Sequence, residues 1–136
     1  MEQEKIQHLE FIQNIINRMN KNSFQIKGWM ITIVSALLAL YASSNNYFYV
    51  FVAIAPTLIF WFIDSYYLQQ EKRFRGLYED VIDPKKNIPA FSMDISDYKL
   101  GRYKYCSSLF SLTTATLYLT VACCLLMGGL IIVKMM

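Results

Sequence analysis

Positions 28–63 and 105–133 contain no charged residue, whereas charges are dense ahead of the first stretch and between the two. A helix crossing a bilayer needs roughly 20 apolar residues. The first stretch is too long for one crossing and is interrupted near its middle by Ser43-Ser44-Asn45-Asn46. It therefore predicts a helical hairpin of two spans, and the second stretch predicts one span more. The expected fold is an all-α integral membrane protein with three transmembrane helices and a small cytoplasmic helical layer. Its expected parts are an amphipathic helix over 1–23, the hairpin over 24–64, a helix and loop over 65–104 and a third span over 105–133.

The layer is read from the charged segments. Leu9, Ile12, Ile16 and Met19 recur at helical spacing, with Ile6 and Ile15 widening the stripe. Asn20-Lys21-Asn22-Ser23 then weakens the helix, and Ser23 is the expected N-cap of the first span. The second span begins at about Tyr47 and carries Pro56 near its centre, where a kink is expected. Nothing stops this helix at Asp64. It is expected to run on to Ile82 and to place Phe74, Leu77, Tyr78 and Val81 on one face. That face and the Leu9 stripe share a period and emerge on one side of the membrane, so each is the other's nearest partner. After Asp83-Pro84 the helical pattern is lost, yet Phe91, Met93, Ile95 and Tyr98 make 83–101 too apolar for a plain linker. This segment is expected to pack back on the layer, with docking on a partner as the alternative.

Composition agrees: the chain is 55% hydrophobic with a mean hydropathy of +0.29. The net charge of +3 is too small to point to a nucleic-acid partner. Lysine and arginine precede the first span and fill the segment between the second and third, while the hairpin turn has none. The positive-inside rule then puts the N-terminus and 65–104 in the cytoplasm, and the turn and Lys134 outside. Trp29 and Trp61 are expected near the inner interface, and Tyr41, Tyr47 and Tyr49 near the outer one. The region ahead of the first span is long and carries Glu2, Glu4 and Glu10, unlike the short basic start of a cleaved leader. Cys106, Cys123 and Cys124 form no C-x-x-C and are read as small apolar packing residues.

Catalytic chemistry has little to work with. His8 stands alone without a metal-ligand partner at useful spacing, and no phosphate-cradling loop or nucleophile motif occurs. Asp94 and Asp97 are read as solvated. No enzyme, cofactor or metal is expected. Asp64 is the notable charge, because ionisable groups at membrane depth are costly. The hairpin register sets it beside Lys27, predicting an interfacial ion pair. The third span is rich in small and hydroxyl residues, and such residues mark helix contacts in lipid. Ser111, Thr113, Ala115, Thr116, Thr120, Ala122, Gly128 and Gly129 are the candidate oligomer or pore face. Packing against the chain's own hairpin is the competing reading of the same residues. Leu9, Ile12, Ile16, Met19, Phe74, Leu77, Tyr78 and Val81 are the candidate cytoplasmic packing or partner face.

Two stretches carry a resemblance: 8–13 (HLEFIQ) with 24–29 (FQIKGW), and 60–64 (FWFID) running on to 71–75 (EKRFR) and 77–78 (LY). They resemble a group of small bacterial multi-span membrane proteins, over the first 80 or so residues and more loosely the third span. In architecture such proteins resemble the small membrane effectors of anti-phage defence systems. The resemblance implies a homo-oligomeric inner-membrane effector or channel-like component, with lipid and further copies of the chain as partners. The alternative is a non-conducting anchor or adaptor that recruits a soluble cytoplasmic protein. A phage holin is disfavoured, because it would carry a basic cytoplasmic tail where this chain has Lys134-Met135-Met136 on the expected outer side.

Overall fold

A computed structural model describes residues 2–136, and among them every regular element is helical. The order is α1 (Glu2–Ser44), α2 (Phe48–Val52), α3 (Ile54–Ile82), a 3-10 turn (Gly101–Tyr103), α4 (Tyr105–Leu109) and α5 (Leu112–Met135). Three segments are long and apolar enough to cross a membrane: α1, α2 with α3, and α5. Most of each apolar stretch faces outward rather than into the molecule, as lipid contact requires and water does not favour.

α1 is one uninterrupted helix of 43 residues, about 65 Å long at 1.5 Å per residue. The break expected at 20–23 is absent. The reason lies in phase: His8, Met19, Met30 and Tyr41 recur at eleven-residue intervals, with Ile12, Ile16, Ile26 and Val34 buried between them. Eleven residues in three turns is about 3.67 per turn, so the stripe barely rotates along a straight helix. α3 covers it for most of its length. Continuous tertiary packing outweighs the weak local propensity of Asn20, Asn22 and Ser23. Ser23 is consequently not an N-cap; its hydroxyl is used elsewhere.

The hairpin turns at Asn45, whose φ of +56° is a left-handed conformation that asparagine tolerates. Its N–H donates to Tyr41 O at 2.8 Å, closing α1, and Asn46 Oδ1 accepts the Phe48 N–H at 3.1 Å, opening α2. Helical bonding lapses at Ala53 because Pro56 has no N–H to donate to the preceding turn. From there α3 runs without interruption past Asp64 to Ile82.

Two cores form along the α1–α3 pair. One, in the apolar half, gathers Met30, Val34, Val50, Ala53, Trp61, Tyr118 and Leu125. The other, in the charged half, is Ile12, Ile16, Leu77 and Val81, flanked by Leu9, Phe74 and Tyr78. Ile88, Met93, Ile95 and Tyr98 from 83–100 complete this second core, so that segment is a packed strap. Polar ties pin the strap: His8 Nε2 to Ser92 O at 2.7 Å, Arg73 Nη2 donating to Ile95 O at 2.8 Å, and Tyr98 Oη donating to Asp80 at 2.6 Å. The Tyr103 ring lies over Gly76, where a Cβ would fall 2.4 Å from the phenol oxygen, so any larger residue there would have to displace that ring.

The third apolar segment is not one helix. It breaks at Phe110–Ser111, and Ser111 Oγ accepts the Thr114 N–H at 3.4 Å to start α5 afresh. α5 packs on α2 and α3 but makes no close backbone approach to α1. An apolar groove of about 360 Å³ remains between α1 and α5, lined by Leu38, Tyr41, Thr120, Cys124 and Gly128 among others.

Candidate functional site

Where the charged half meets the apolar half, three helices share one carboxylate. Asp64 is 0% exposed. Ser23 Oγ donates to its Oδ1, Lys27 Nζ lies 2.5 Å from its Oδ2, and Tyr118 Oη donates to the same Oδ2 at 2.9 Å. Lys27 Nζ also donates to Ser23 Oγ at 2.8 Å. Ser23 and Lys27 sit four apart on one face of α1, and Lys27 and Asp64 each lie eighteen residues from the Asn45–Asn46 turn, which brings them level. An ionised carboxylate away from water needs an opposite charge and hydrogen-bond donors, and it has both here. Lys27 keeps 25% of its side chain exposed, so the pair opens on one side only.

Tyr118 is the member of this cluster that the hairpin register does not reveal. The usable signal is its chemistry: it is a phenol about two turns inside an uncharged span, and a buried Tyr hydroxyl seeks a partner. Trp61 is buried, with Nε1 donating to Leu109 O at 3.0 Å, whereas Trp29 is exposed.

The eight candidate residues of the third span do not form one surface. Ser111 caps α5, Ala115 packs against the apolar core, and Gly129 lies under the Phe51 ring, where a Cβ would meet Cζ at 2.7 Å. Ala122 is half-buried. Thr113, Thr116 and Thr120 are exposed, at spacings of three and four that set them on one face. Cys124 continues that face, and beside it a Cβ on Gly128 would meet nothing within 4 Å. Of the other candidate face, Ile12, Ile16, Leu77 and Val81 are buried and Leu9, Phe74 and Tyr78 pack around them, while Met19 is half-buried.

At the charged tip, Asp80 accepts from Lys86 Nζ at 2.7 Å and from Tyr98. Those two bonds, the lysine's first, hold its carboxyl below the usual carboxylate range, and burial with the Asp80 bond pushes the Tyr98 phenol up. Phe91 occupies the third position of a turn closed by the Ser92 N–H on Pro89 O at 3.1 Å, with φ +60°, where glycine is usual. It remains exposed beside Phe11, ring centroids 5.9 Å apart. No group of three or more His, Cys, Asp or Glu able to hold a metal occurs among the described residues.

No family model, curated protein or solved structure matches the chain.

Proposed function

We propose that this chain is a multi-pass protein of the bacterial inner membrane, N-terminus cytoplasmic, that assembles with copies of itself and permeabilises the membrane as the effector of a defence or toxin system. The observation that carries this reading is the Thr113–Thr116–Thr120 face. All three are exposed within their own chain, Thr120 at the open groove beside α1, and lipid offers the Thr116 and Thr120 hydroxyls no partner. In an assembly the same face meets another α5 or lines a water path. The remainder of the chain supports the role mechanically, since α1 and α3 make a stiff two-helix stalk on the cytoplasmic side.

Overproduction of the chain, alone or with its trigger, is expected to slow growth and admit a membrane-potential dye. Replacing Thr113, Thr116 and Thr120 together by Val keeps shape and removes the hydroxyls, and should abolish dye entry at unchanged protein level. Dye entry undiminished in the triple variant sinks the threonine face as the conducting element.

A second reading, a non-conducting anchor for a soluble protein, is favoured by the Phe11–Phe91 patch at the far tip of the stalk. It predicts polarisation that never changes, and a soluble protein that co-purifies with the native chain but not with Phe91→Asp.

A further inference from the structure

α5 is attached to the rest of the molecule in an unusual way. Among the described residues, the helix body donates one side-chain hydrogen bond to the hairpin, Tyr118 Oη to Asp64. Its other polar bonds are local: Ser111 with Thr113 and Thr114, and Thr114 Oγ1 donating to Ser108 O at 2.8 Å. Van der Waals contact supplies the rest, notably Gly129 under Phe51. Within a bilayer, apolar side chains are no better off against protein than against lipid tails, so close packing and hydrogen bonds decide whether a helix stays docked. One bond therefore carries a large share of the docking.

Two further features stand at either side of that bond. Behind it, the Phe110–Ser111 break makes α5 a rigid segment on a joint, with Ser111 extended and its own cap. Ahead of it, the groove between α5 and α1 leaves room for the helix to move sideways. The carboxylate that holds Tyr118 also holds Lys27, and Lys27 alone of the cluster's charges reaches the open side.

We infer that Asp64 and Tyr118 form a catch that holds α5 against α2 and α3, and that its release lets α5 pivot at Phe110–Ser111 and close on α1. Lys27, on the same Oδ2 as Tyr118, fixes the oxygen that the catch uses, whereas Ser23 bonds the other oxygen, Oδ1. The inference goes beyond membrane permeabilisation and holds for a single chain, so it stands or falls separately from self-assembly.

The test uses the full chain in native membranes with Cys106 and Cys123 changed to Ser, Cys124 kept and Leu38→Cys added. Leu38 and Cys124 both line the groove, one from α1 and one from α5. A short bismaleimide links them within one chain, and mass spectrometry separates that product from linked dimers. Tyr118→Phe removes only the hydroxyl, and should raise the initial rate of intrachain linkage about threefold or more, as expected for one interhelical hydrogen bond. Ser23→Ala touches the same carboxylate without touching α5 and should leave the rate within error of the parent. An unchanged rate in Tyr118→Phe at normal abundance overturns the catch. So does an equal rise in Ser23→Ala, which marks general loosening. Collapse of Tyr118→Phe protein level also overturns it, since the bond would then be a requirement of folding.

Discussion

Lys27→Met should cost about 3–5 kcal/mol of stability, because it strips the countercharge, the only one among the described residues, from a carboxylate that has no access to solvent. Ser23 and Tyr118 still donate to Asp64, but two neutral hydroxyls do not replace an ammonium at 2.5 Å. The loss belongs to the stranded charge and not to the missing lysine, and a double variant separates the two. Lys27→Met with Asp64→Asn removes both charges while leaving an amide whose oxygen accepts from one of the two hydroxyls and whose NH2 donates to the other. It should recover more than half of what the single variant loses. Unfolding in mixed detergent micelles, followed by helical signal, reads the difference. If the double variant is as unstable as Lys27→Met alone, the ion pair is not what the lysine provides.

The second large effect lies at the other end of the stalk. Ile16 is buried against Ile12, Leu77 and Val81, with the 83–100 strap closing over them. Ile16→Asp both empties an apolar site and places a charge there without a partner. The first alone costs about 2–5 kcal/mol, and the unpaired carboxylate adds to it. The stalk should open while α5 and the apolar half of the hairpin remain helical, so limited proteolysis should cut within 83–100 first. Arg18→Asp, on the exposed side of the same helix, should change stability by about 0.5 kcal/mol or less. Equal sensitivity of the two variants would mean that the stalk is not packed as described.

Some of this architecture is legible in the residues and some is not, for identifiable reasons. Ser43-Ser44-Asn45-Asn46 marks the turn, and the turn in turn sets Lys27 level with Asp64, since an antiparallel pair has only one register once its bend is placed. α3 continuing beyond Asp64 is equally legible, because no breaker intervenes before Asp83-Pro84. The unbroken α1 is not legible from local signals: Asn20, Asn22 and Ser23 are poor helix formers, and only the eleven-residue phase across them says otherwise. The break at Phe110–Ser111 has no proline or glycine to announce it and depends on Ser111 and Thr114 bonding across the gap. The role of Tyr118 rests on a contact 54 residues away in sequence, beyond the reach of any periodicity. Small residues, finally, tell that a helix is approached closely but not by what. Gly129 is spent on Phe51, whereas Gly128 beside it is open.

That last distinction leads to the most direct test of self-assembly, the measurement of particle mass for the full chain in lipid discs. The native chain should give particles of several copies. Gly128→Leu, at a position where an added Cβ meets nothing within 4 Å in its own molecule, should shift the distribution towards single chains without loss of helix. Native particles holding one chain each, across the concentrations at which the membrane dye enters cells, would contradict assembly as the basis of function.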